Sequence, residues 1–210
     1  MSESTVVSQK EFGDMLLFRP GIEKMKEAVL KGFDLHQFEK DQKISIIAKL
    51  MLRNPERDFF YREIPFFREH GASLEGLPDT IGENPMNVAV SLGNREYIEF
   101  FLENGADINR QRPYWGGYLN DAVRYGHSEL VPFLLIRGAD PTLTSSDGKS
   151  FLEYLKTLMR KAAKEKKPHE EKLHFKLYRT AQNFVRKKKK TKEARGRQDL
   201  KKLLYMGTSR

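Results

Sequence analysis

Acid–base or metal chemistry in this 210-residue chain would fall to its five histidines and its 29 aspartates and glutamates. There is no cysteine, which removes disulfides, a thiol nucleophile and a thiolate zinc site. His36, His70, His127, His169 and His174 are scattered. His169 and His174 are five apart, a spacing that does not put them on one helical face, and no carboxylate–histidine set has metal-ligand spacing. "GGYL" at 116–119 lacks the lysine and the strand-to-helix setting of a phosphate loop, and no serine sits in a nucleophile elbow. These residues predict no catalytic group, no metal and no cofactor.

Two other groupings carry chemistry of recognition. "INRQRPYWGGYL", 108–119, holds the single tryptophan, Trp115, with Tyr114, Tyr118, Arg110 and Arg112 beside a proline and two glycines. Tryptophan, tyrosine and arginine dominate interface hot spots because they desolvate a large area with few rotors. The alternative is that Trp115 lies over the next helix and closes a gap left by the glycines. The second grouping is the run Arg186, Lys187, Lys188, Lys189, Lys190, Lys192, Arg195 and Arg197. Its charges match a nuclear-import signal and equally the phosphates of RNA, DNA or anionic lipid. It has no interleaved aromatic between Phe184 and Tyr205, which favours import or nonspecific attraction over base recognition; a plain solubility tail remains open.

Charge divides the chain in the same way. Residues 160–210 carry 19 Lys and Arg against 5 Asp and Glu, whereas the rest carries 19 against 24, a mildly acidic body with a strongly basic end. With 39% hydrophobic and 32% charged residues the chain can bury a core and stay soluble. It begins without a basic-then-apolar leader, and no run approaches the roughly 18 apolar residues of a membrane span.

The elements that must position these groups emerge when the chain is laid on itself. "IPFFREHGAS" (64–73), "IEFFLENGAD" (98–107) and "VPFLLIRGAD" (131–140) superimpose, with Gly71, Gly105 and Gly138 spaced 34 and 33 apart. Such a period marks stacked units, each too small to bury its own apolar face. Each glycine falls where a helix ends in a left-handed residue. Pro65 and Pro132, each six residues before its glycine, predict helices that begin only a few residues earlier. A preceding helix pairs with each, turning at Gly93 and at Gly126.

"NPMNVAVSLGNREYIEFFLENGADIN" and "GYLNDAVRYGHSELVPFLLIRGADP" together resemble the ankyrin repeat. Asn84, Pro85, Met86, Asn87 and Ala89 match its opening in part; Gly126, His127 and Glu129 match its middle. The chain departs from the pattern at Asn87 and Asn120, where histidine is usual, and at Gly117-Tyr118, where threonine-proline is usual. The resemblance implies an all-α solenoid of helix pairs joined by short β-hairpins. It also implies a protein partner held on hairpin tips and first helices. Arg112 and Trp115 then stand at a hairpin tip, with Arg110 and Tyr114, and Tyr118, Arg124 and Tyr125 extend the surface.

The expected organisation is a degenerate N-terminal helical repeat or cap (1–58), ankyrin repeats (59–158), C-terminal capping helices (159–185) and a basic tail (186–210). Ile22, Met25, Val29 and Leu30 share a helical face stopped by Gly32; Asp147-Gly148 form a turn; Leu173, Leu177, Ala181 and Phe184 form the capping face. The function expected is a non-enzymatic interaction module of nucleus or cytoplasm. A nucleic-acid or anionic-membrane binder and an ankyrin effector of an intracellular bacterium are the alternatives.

Overall fold

The computed structural model describes residues 7–15, 21–42, 45–53, 57–74, 84–111 and 116–207, with backbone alone at 57, 59 and 196–207. The described residues form eleven helices and no strand, an all-α fold as expected. They divide into two compact units, Met1–Asp107 and Ile108–Arg210.

In the first unit, α1 (Gln9–Met15), α2 (Gly21–Leu30) and α3 (Leu35–Gln42) enclose an aromatic cluster. Phe12 stacks on Phe33 with centroids 4.1 Å apart and meets Phe38 edge-on at 5.1 Å. Ile22, Met25, Ala28 and Val29 of α2 are buried, but Leu30 is 69% exposed. The expected face therefore turns by one residue: Ala28 packs and Leu30 does not. α4 (Ile46–Arg53) and α5 (Arg57–Glu69) follow, then α6 (Pro85–Ser91), packed on α4, and α7 (Arg95–Glu103), packed on α6. Ile47, Leu50 and Met51 of α4, Phe60, Ile64 and Phe67 of α5, and Tyr97, Ile98 and Phe101 of α7 are all fully buried.

Pro65 corrects an expectation. α5 begins at Arg57, so the proline lies in its interior and not in its first turn. The burial of Phe60 and Ile64 on one side and Phe67 on the other supplies packing that outweighs the backbone bond a proline cannot donate.

The three repeated glycines end their helices identically. Gly71, Gly105 and Gly138 have φ of +100, +91 and +109°. Each donates to a carbonyl three residues back, and the alanine after it donates five back: Ala72 to Phe67 (2.9 Å), Ala106 to Phe101 (2.9 Å), Ala139 to Leu134 (2.9 Å). This is a Schellman pair, and the alanines are buried because the turn folds them under the helix end. Gly93 and Gly126 make the same pair between helices. Asn84 caps α6, its Oδ1 accepting from the Asn87 N–H at 2.7 Å, whereas at Gly117 no side chain caps α8.

Two buried carboxylates tie the first unit together. Glu39 is fully buried and accepts the N–H groups of Ile46 (2.7 Å) and Ser73 (3.0 Å), joining the start of α4 to the exit after Gly71. Burial pushes its pKa up against the pull of those two bonds. Glu63 is also buried, and pairs with Lys26 and Arg62, each at 2.6 Å.

In the second unit, α8 (Tyr118–Arg124) packs on α9 (Leu130–Ile136) and on α10 (Phe151–Lys164), while α11 (Pro168–Gly207) lies along α10 and against α9. Thr144 and Ser150 form a lone bridge across the turn at Asp147-Gly148, and Ser150 opens α10 with a capping box to Glu153. Pro132 stands near the start of α9, as expected. The expected boundary at 158/159 falls inside α10, and that at 185/186 inside α11. The basic run thus continues a helix whose earlier turns pack.

The packed face of α11 differs from expectation. Leu177 and Ala181 are buried, but Leu173 is 42% exposed and its neighbour His174 is buried instead. Its Nδ1 has no hydrogen-bond partner among the described residues. Burial lowers the imidazole pKa, with Glu170 pulling weakly the other way. A folded-state pKa below that of the unfolded chain means that the unfolded chain takes the proton first. Stability is therefore complete above the ordinary histidine range and is lost as pH falls below it. Thermal melts at pH 7 and pH 5 should show a smaller acid-induced drop for His174→Leu than for the native chain; equal drops would contradict this.

Candidate protein-interaction site

The aromatic–arginine segment is held at both of its ends. Before it, Asn109 Oδ1 accepts the Asp140 N–H at 2.8 Å and its Nδ2 donates to the Gly138 carbonyl at 3.3 Å, binding the strand of chain to the Gly-Ala-Asp exit of α9. Gln111 folds back, its Nε2 donating to the Asn109 carbonyl at 3.2 Å. After the segment, Gly116 is favoured by its left-handed backbone, whereas Gly117, with an ordinary φ of −96°, faces only the tip of the Gln111 side chain. Gly116 has φ +74°, and a Cβ there would lie 2.9 Å from the Asn120 side chain; one at Gly117 would lie 2.7 Å from Gln111 Nε2. The glycines let the chain come close enough to α8 for these contacts to form.

Between these anchors, Arg112, Tyr114 and Trp115 lie outside the described residues. Arg110 is half-buried and Tyr125 is 45% exposed. Tyr118 is 2% exposed, which corrects its expected place on the surface: it is the first residue of α8 and packs inward. Arg124 serves the interior as well. It lies 2.6 Å from Asp121, whose side chain is fully buried, and also hydrogen-bonds Tyr154 of α10, a phenol whose pKa burial pushes up. Sequence reasoning missed Asp121 as its partner, although the i, i+3 spacing was a signal.

On α11, Arg186 to Lys190, Lys192 and Arg195 are all exposed, and the side chain of Arg197 lies outside the described residues. Lys188 reaches Asp140 at 3.3 Å. Burial raises the Asp140 carboxyl, but bonds from Thr142 and Lys188 outweigh it and hold it below the usual carboxylate range. The basic helix thus touches the same Gly-Ala-Asp exit that Asn109 clamps. Among the described residues no three of His, Asp and Glu gather at metal-binding distance, and no helix is long and apolar enough to cross a membrane.

Residues 82–110 match the family model described as "Ankyrin repeat". Residues of the chain are 31% identical over 85 positions to the E3 ubiquitin-protein ligase hecd-1 of Caenorhabditis elegans, covering 40% of this chain and 3% of that protein. Ankyrin repeat domain-containing protein 37 of Bos taurus is 29% identical over 97 positions, 46% of this chain and 59% of its own. The ligase XBAT33 of Arabidopsis thaliana is 40% identical over 53 positions, 25% and 10% of the respective chains. The match therefore spans a small part of the ligases and under two thirds of the cattle protein.

Proposed function

From an ankyrin-repeat chain, a protein–protein interaction module, we propose a non-enzymatic adaptor that grips its partner protein through the segment Arg110–Trp115, with Tyr125 at the margin. The observation that carries this reading is the double anchoring of the segment, by Asn109 on the α9 exit and by Gly116-Gly117 on α8. Chain fixed on both flanks of a binding segment lowers the entropy that binding must cost, which supports affinity from aromatic and guanidinium groups. The ligase relatives lend nothing catalytic, since the shared stretch is a small fraction of their length.

Affinity capture from lysate with the native chain and with Trp115→Ala tests this. Partner recovery should fall at least tenfold, the loss expected of a hot-spot tryptophan at about 2 kcal/mol, with an unchanged melting temperature. A large drop in melting temperature with full capture would show that Trp115 packs on its own unit.

The exposure of Arg186 through Arg195 favours a second role for α11, docking on an import receptor or on phosphates. Removal of residues 186–210 should abolish such binding, and added salt should weaken it steeply. Binding that survives the truncation rules it out.

A further inference from the structure

Within the second unit, α9 and α11 leave between them a groove of about 260 Å³ that neither helix fills. Its walls are Pro132 and Ile136 on α9 and Thr180 and Phe184 on α11, and its floor is the buried Leu135. Ile136 is 78% exposed, although the other apolar residues of its short helix, Pro132 apart, are buried. No local rule demands an isoleucine there, because the helix already has its core face in Leu130, Val131, Leu134 and Leu135. At one end the groove opens at Asn183 and Lys187 onto a strip of α11 formed by Arg186, Lys187, Lys190 and Glu193. These positions share one face because they recur at helical spacing.

We propose that this groove binds an acidic amphipathic helix of a partner protein. Its apolar residues would sit between Ile136 and Phe184, and its carboxylates would pair with Lys187, Arg186 and Lys190. An apolar slot that runs directly into a cationic strip complements a helix with one leucine-rich edge and one acidic end. Nucleic acid satisfies only the strip, since its hydrated phosphates gain nothing from an isoleucine–phenylalanine slot. None of the residues that line the groove belongs to the Arg110–Trp115 segment, so Trp115→Ala should leave this contact intact while Ile136→Asp weakens it.

The probes are a fluorescein-labelled peptide of about 15 residues with leucines at helical i, i+3, i+4 and i+7 positions and glutamates elsewhere, a peptide of the same composition with the leucines scrambled, and a labelled oligothymidylate of about 15 nucleotides. Fluorescence anisotropy on the full chain should show binding of the patterned peptide. Ile136→Asp should weaken it about tenfold, as should scrambling, and Lys187→Glu with Lys190→Glu should abolish it. Ile136 and both lysines are exposed, so these variants keep the fold, and melting curves confirm it. Equal binding of patterned and scrambled peptides, no binding of the patterned one, insensitivity to Ile136→Asp, or an equal loss of oligothymidylate binding in Ile136→Asp would each overturn the proposal. So would gel filtration showing a dimer of the native chain that Ile136→Asp dissociates, since a second copy would then occupy the slot.

Discussion

Phe60→Ala is expected to destabilise the first unit by about 3–5 kcal/mol, the range for truncating a fully buried phenylalanine. Phe60 is 1% exposed, stacks on Tyr97 with centroids 4.0 Å apart, and meets Phe100 at 5.0 Å and Phe101 at 5.6 Å in edge-to-face pairs. Alanine would leave a ring-sized void against three rings that α7 carries together, so they can close it only in part. A domain typically holds about 5–15 kcal/mol in all, so this change takes a large share. Urea unfolding should show a lower midpoint with an unchanged slope. Leu30→Ala is the informative control: the helical pattern puts Leu30 in the core, whereas its 69% exposure predicts a change within about 0.5 kcal/mol. Equal effects at the two positions would mean that the packing described for α2 and α5 is wrong.

Arg124→Ala is expected to cost about 3 kcal/mol, toward the lower end for a broken buried pair because Arg124 keeps 27% of its side-chain exposure. Asp121 is fully buried, and without the guanidinium its carboxylate would keep a charge in the interior with less compensation. The loss should show as a lower urea midpoint. Adding Asp121→Asn to Arg124→Ala should restore part of the stability, since the uncompensated charge is then gone. A double variant no better than Arg124→Ala alone would show that the pair matters through packing and not through charge. This experiment also separates two roles. A first-helix arginine at a partner surface would lose capture with little loss of stability, whereas Arg124 neutralises Asp121 within α8 and its hydrogen bond to Tyr154 braces α8 against α10.

The same brace explains why Tyr118 and Arg124 read as surface in the sequence. Aromatic and arginine side chains near a glycine-rich turn have the chemistry of an interface; the i, i+3 spacing offered Arg124 a carboxylate, but nothing local states that this carboxylate will be buried or that Tyr118 will turn inward. The clamp on the Arg110–Trp115 segment was equally hidden, since Asn109 acts on Gly138 and Asp140, about 30 positions on in the chain.

What the amino-acid order determined by itself is everything that depends on a few neighbouring residues. Glycines at a 33–34 residue period end helices because only glycine takes positive φ without strain, and the alanine that follows each is drawn under the helix end by the same turn. The all-α class and the repeated helix pairs follow from those local rules. Only tertiary structure decided which of two adjacent residues on a helix is buried. A step of one residue turns about 100°, so Leu173 and His174 are neighbours at the edge of an apolar stripe, and Ala28 and Leu30 stand one step to either side of the buried Val29. The choice falls to the helices packed against them. The exposed Ile136 beside Phe184 arises in the same way, from two helices brought together across nearly fifty residues of chain, a distance over which no local pattern carries information.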